Sequence, residues 1–260
     1  MSIFNFFSKK KKEGKTILSM VMFKGDKAYS FDSVKQDLRT YWSLDVNDGD
    51  GDDEAAVFEV NGKRIVLASM PHPIPEGELD SLYDYNYMLK DAGKEIKEHT
   101  QHAIVSVMPT DSSIVEQYIL LTKVIASILR TSQNAIGVYH GDSSLLLPKD
   151  FYLDESKGLF EDTLPVSLWV YIGIVKDGEK SSLYTYGMSG FDKSEMEIVD
   201  SNMKMGDLYD FLLNTIHYVL DQDVTLKDGE TLGYTENQKI KIKRSKAVYL
   251  EGGKTLKFEM

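Results

Sequence analysis

The stretch HAIVSVMPTDSSIVEQYILLTKVIASILRT, residues 102–131, decides the fold class. His102–Met108, a short run dominated by apolar residues, reads as a buried strand. Ser112–Thr131 places Ile114, Tyr118, Leu121, Ile125 and Ile128 on one stripe of a helix. Upstream, Leu79–His99 reads as a helix weakened by Gly93, entered past Pro71, Pro73 and Pro75. Ala55–Val60 alternates, Asn61-Gly62 is a type I′ turn signal, and Arg64–Met70 returns as the second arm of a hairpin. Phe31, Val34, Leu38 and Trp42 have helical spacing behind Ser30 or Asp32 as cap, and Thr16–Phe23 is a first strand. This order, β-α-β-β-α-β and then a helix, is the split βαβ or ferredoxin-like arrangement. It implies a mainly antiparallel sheet with helices on one face.

The second half follows a comparable order. Ala135–His140 reads as a strand and Lys149–Lys157 as a short helix. Val166–Val175 and Ser181–Met188 form a hairpin around Lys176-Asp-Gly-Glu179, and Glu195–Val199 is a further strand. Met205–Leu220 is a helix that turns Leu208, Phe211, Leu212, Thr215, Ile216 and Val219 inward. Val224–Tyr234 turns at Asp228-Gly229, and Ile240–Phe258 gives two strands around Gly252-Gly253. The expected class is α+β, as two packed ferredoxin-like lobes over residues 16–132 and 133–260, behind a flexible basic leader at 1–15. A single larger α+β domain is the alternative. No linker rich in Pro, Gly or Ser interrupts 132–165, so the lobes should pack rather than swing.

With 42% hydrophobic and 27% charged residues, the 260-residue chain can bury a real core. The absence of cysteine rules out disulfides, thiolate catalysis and Cys-bound metal. The net charge of -11 is uneven: residues 1–15 carry +4, residues 239–260 carry +5, and the middle carries -20. An acidic body repels phosphate backbones, which argues against nucleic acid, and attracts a basic partner. Residues 1–12 hold Ile3, Phe4, Phe6 and Phe7 beside four lysines, which permits contact with an anionic membrane surface. The charge order is wrong for a secretory signal, and the expected location is the cytoplasm.

Leu164-Pro-Val-Ser-Leu-Trp-Val170, Thr185-Tyr-Gly-Met188, Phe191-Asp-Lys-Ser-Glu-Met-Glu197 and Asp228-Gly-Glu-Thr-Leu-Gly-Tyr-Thr235 occur together and in order. With His99-Thr-Gln-His-Ala-Ile-Val-Ser106 and Ala135-Ile-Gly-Val-Tyr139, this pattern resembles the bacterial family known as domain of unknown function 4261, over roughly residues 16–245. The chain departs from that pattern at Asp192, where glycine is usual, and at His140, where an aromatic is usual. The resemblance implies no activity, because the family has none assigned. A short hydrophobic-basic leader before such a domain also looks like small bacterial immunity proteins.

Three constellations invite chemistry. Asp48, Asp50, Asp52 and Glu59 fall at the first, third, fifth and twelfth positions of a calcium loop. Position six is Asp53 rather than glycine, and Glu59 lies on a strand where a helix is expected. His99 and His102 form HxxH beside Glu95 and Glu98, and His140 could add a third ligand to zinc. The HxxH crosses a helix-to-strand junction, which leaves the structural reading open. Glu195 and Glu197 alternate on a strand and should face one side, with Thr185, Tyr186 and His217 as possible neighbours for acid–base work. Either glutamate could instead pair with Lys241 or Lys243. Lys239, Lys241 and Lys243 alternate with Ile240 and Ile242 as a charged strand face. Tyr83, Tyr85 and Tyr87 suit either an interface or an irregular loop. No phosphate-binding glycine loop or nucleophile elbow occurs. The expectation is a non-enzymatic protein-binding module without cofactor, suited to neutralising a basic partner. The alternative is a metal-dependent or carboxylate-based enzyme.

Overall fold

A computed structural model describes residues 15–75, 77–89, 93–235 and 238–260. The leader at 1–15 therefore lies, except for Lys15, outside the described residues. The first sheet is built from β1 (Ile17–Phe23), β2 (Asp50–Gly51), β3 (Ala55–Val60), β4 (Lys63–Met70), β5 (Gln101–Val107), β6 (Ala135–His140) and β7 (Leu145–Pro148). Its order is β2-β3-β4-β5-β1-β6-β7. The hairpin turns at Asn61 and Gly62, both with positive φ, as a type I′ turn requires.

Helix α1 (Phe31–Thr40) starts where Ser30 Oγ accepts from Ser33 N–H and the Asp53 carboxylate accepts from Phe31 N–H at 2.8 Å. The next helical segments are α2 (Asp80–Tyr85), α3 (Gly93–Lys97) and α4 (Ile114–Thr131). A capping box between Ser113 and Glu116 opens α4. β1 pairs antiparallel with both β5 and β6, so β5 and β6 run parallel across α4 with β1 inserted between them. That is a split βαβ unit, compatible with the ferredoxin-like expectation.

Val21 and Phe23 face α1 and α4, in a cluster with Val34, Leu38, Leu121 and Ile125. Met22 points the other way, against Leu79, Leu89, Ile96 and Leu146, so the α2–α3 segment covers the opposite face.

Two expectations need correction. Ala135–His140 belongs to the first sheet, not to a second lobe, because α4 carries the chain back to pair with β1. Leu79–His99 is not one helix. Asn86 leaves helical geometry (ψ 96), donates to Leu146 C=O of β7 at 2.5 Å and accepts from Met88 N–H at 3.0 Å, which breaks the segment.

The second sheet comprises β8 (Tyr171–Asp177), β9 (Lys180–Tyr186), β10 (Met196–Ser201), β11 (Thr231–Gly233), β12 (Lys239–Lys246) and β13 (Lys254–Phe258). Its order is β11-β12-β13-β10-β9-β8, with β10 and β13 parallel and the other pairs antiparallel. The chain is thus α+β with two mainly antiparallel sheets. The halves share a three-stranded meander followed by a long helix: β3-β4-β5-α4, then β8-β9-β10 and α6 (Met205–Asp221), with the short α5 (Lys149–Ser156) between. Helix α6 buries Leu208, Leu212 and Ile216 on one face of the second sheet.

One apolar cluster runs through both sheets. At its middle Trp169 donates to Thr122 Oγ1 at 2.9 Å, and its ring packs against Tyr118 and Phe191 with centroids 5.7 and 5.8 Å away. Among the described residues no helix is long and apolar enough to cross a membrane.

Candidate functional site

The acidic loop serves the backbone. Asp48 pairs with Arg39 at 3.0 Å. Asp52 accepts from the N–H groups of Ala55 and Glu54, which hold its carboxyl below the usual range. Asp53 caps α1. Asp50 opens β2 opposite Val57, and Glu59 sits opposite Arg64 in the hairpin. Gly51 (φ +128) lies so close to β3 that a Cβ would come within 2.1 Å of Ala55 O. The loop is laid along the hairpin through the pairing of β2 with β3.

The histidines are dispersed. His99 Nδ1–H donates to Ile96 O at 2.8 Å while Nε2 accepts from Ile74 N–H at 3.0 Å, so both ring nitrogens are engaged by the backbone. His102 donates from Nδ1 to His72 O at 3.0 Å, and burial pushes its pKa down. His102 lies opposite Met22 on one face of the sheet. His140 lies on the other face, where its Nδ1 bonds Ser19 Oγ and its ring stacks on Tyr152 at 5.9 Å. Its Nε2 is buried without a partner, and burial drives its pKa down to about 4. With the sheet between them, His102 and His140 cannot share a metal ion. Among the described residues no three His, Asp or Glu are placed to hold one.

Glu195 and Glu197 also diverge. Glu195 precedes β10 and ties down the turn after β9. It accepts from Thr185 Oγ1 at 2.6 Å, Gly187 N–H at 3.0 Å and Ser189 N–H at 3.1 Å. Burial raises its pKa against those donors. Glu197 is fully buried and accepts from Val248 N–H (3.0 Å), Tyr249 N–H (2.9 Å) and Thr255 Oγ1 (2.8 Å). Its ion-pair partner is Lys257 at 2.9 Å rather than Lys241 or Lys243. Burial opposes the charge, but the donors led by Tyr249 N–H outweigh it and hold the carboxyl below its ordinary value. His217 lies on α6, and the charges that act on it are those of Asp221 and Glu155, not of the two glutamates.

What the glutamates build is a groove of tyrosines. By holding the 248–249 backbone, Glu197 lays the Tyr249 ring on Tyr184, with centroids 5.7 Å apart and planes 17° apart. Tyr184 in turn lies over Gly173, where a Cβ would come within 2.0 Å of its ring. Tyr171 follows at 6.2 Å and donates to Tyr85 O at 3.1 Å, and Tyr87 donates to Ile172 O at 3.1 Å. Tyr186, 40% exposed, and Leu82, Ser144 and Leu250 complete a mainly apolar cavity of about 190 Å³ where the first sheet's α2 segment meets β8 and β9. Burial pushes the Tyr171 hydroxyl up to about 12, so it acts as a donor, not a phenolate. In the sequence, Tyr171 and Tyr184 are marked by the alternation of Tyr184 with Tyr186 opposite Tyr171 and Gly173 across a hairpin, whereas Tyr249 carries no local signal.

No curated protein and no solved structure matches the chain. The motifs at 185–188, 191–197 and 228–235 fall within a matching family model, whereas those at 99–106, 135–139 and 164–170 lie outside it. Over residues 184–259, which take in Tyr184 and Tyr186 at the end of β9, both structural glutamates and the strands through β13, the chain is similar to the family described as Domain of unknown function (DUF4261).

Proposed function

We propose that the chain is a non-enzymatic protein-binding module that holds a basic partner, in the manner of an immunity protein, from the cytoplasm. The observation that carries this reading is the tyrosine groove. Tyrosines offer large contact area at small entropic cost with a hydroxyl at the rim, which suits protein contact. The two glutamates that invited a catalytic reading are occupied in holding the groove's walls. The net charge of -20 over residues 16–238 favours rapid capture of a cationic protein.

The test is affinity capture from a lysate of the source cells, with elution by salt. Capture of one basic protein, lost in the variant Tyr184→Ser/Tyr249→Ser, supports the reading. Absence of any stoichiometric partner, or capture that ignores the double substitution, refutes it.

A further inference from the structure

A second groove lies on the α6 side of the second sheet, between that helix and strand β11. Asp207, Asp210, Asn214 and Tyr218 form one stripe of α6, and Leu232 on the strand and Tyr234 just after it face that stripe, enclosing about 350 Å³. Phe211 forms the floor, edge-on to Tyr234 at 5.7 Å and to Phe258 at 5.3 Å. Asp207 and Asp210 are exposed, and neither forms an ion pair among the described residues. Lys239 and Lys241 sit on the far face of the sheet, because Ile240 between them is buried toward α6.

β11 is the end strand of its sheet. Glu230 O accepts from Ile242 N–H at 2.8 Å, and Tyr234 N–H donates to Gln238 O at 2.8 Å. Alternate residues of the strand therefore bond inward, and Thr231 and Gly233 turn their N–H and C=O groups outward. An unpaired strand edge running beside a helix is the geometry that accepts an added strand from another chain.

The geometry points to β11 and α6 as a docking site for an extended basic segment of a partner protein, which adds to the β11 edge and turns lysine or arginine side chains toward Asp207 and Asp210. Charge selects the occupant. Side chains of an added strand alternate between faces. Those toward α6 meet two carboxylates and the Tyr218, Tyr234 and Phe211 rings, which favour cations. Those on the other face lie beside Thr231 and Gly233, one strand away from Lys239 and Lys241 of β12, whose positive charge favours neutral or acidic residues. The preferred sequence thus alternates basic with small uncharged residues. This site is separate from the tyrosine groove and shares with the proposed function only the basic character of the partner.

The test uses the full chain and a fluorescent decapeptide alternating lysine with threonine, read by anisotropy. Asp207→Asn/Asp210→Asn is expected to weaken binding about tenfold, the combined effect of two partly exposed ion pairs. Thr231→Pro removes an outward N–H and leaves the inward bonds to β12 in place, and should weaken binding at least as much. Tyr184→Ser/Tyr249→Ser should leave peptide binding unchanged, which separates this site from the tyrosine groove. Binding unaffected by the aspartate substitutions, or equal binding of a peptide with glutamate in place of lysine, overturns the proposal. The aspartates are exposed, so that outcome is readable whether or not the proline variant folds. Unaltered binding to a Thr231→Pro protein of normal thermal midpoint also overturns it.

Discussion

The two sheets are covered differently. In the first, α1 and α4 lie on one face and the α2–α3 segment on the other, so its central strands β1, β5 and β6 are buried almost throughout. In the second, α6 covers one face only. The register places Tyr171, Tyr184 and Tyr186 on the outer face at one end, and Lys257, Lys243 and Lys241 at the other. In the proposed reading the first sheet is scaffold and the second presents the partner-binding face, and the buried carboxylate of Glu197 joins the lysine end to the tyrosine end through Lys257 and the Tyr249 backbone.

The shared core makes the first way to break this contrast. Trp169 is 1% exposed at the seam, and Trp169→Ala should cost about 4 kcal/mol in denaturant unfolding. If the sheets were independent, the variant would unfold in two steps. A single step of lower midpoint is expected instead. Glu197→Ala removes the acceptor of three donors and the partner of Lys257, and about 3 kcal/mol is expected. The same variant should free the 248–250 loop, read as raised amide exchange there while the first sheet stays protected.

The third effect belongs to the scaffold. His140 is neutral in the fold, with its pKa down to about 4 against 6.5 ordinarily. Between those values the unfolded chain takes up a proton that the folded chain refuses. Stability is therefore full above about pH 6.5, falls by about 3 kcal/mol as pH drops toward 4, and levels below that. Urea midpoints across this range, with His140→Phe flattening the slope, check it. The smallest effect belongs to the second sheet. Gly173→Ala forces the Tyr184 ring away and should cost about 1–2 kcal/mol, while disrupting the stack with Tyr249 seen in aromatic chemical shifts.

The hairpin at 55–70, α4 and α6 were legible because alternation and helical spacing are local. The placement of Ala135–His140 was not, since a strand after a helix can pair with any earlier edge, and here β1 was available. The break at Asn86 was hidden because it depends on the β7 carbonyl 60 residues away. At the site, Tyr186 and both glutamates were singled out, but their roles were not readable. Glu195 lies one residue before β10, which is enough to send its carboxylate to a different turn. Tyr249 reaches the groove only because Glu197 folds the loop that carries it.

The most direct measurement is amide hydrogen exchange on the chain alone and on its captured complex. New protection is expected at residues 171–186 and 248–250, with the exchange of β1 and β5 unchanged. Protection concentrated on the first sheet, with the tyrosine-bearing strands exchanging as freely as before, would contradict it.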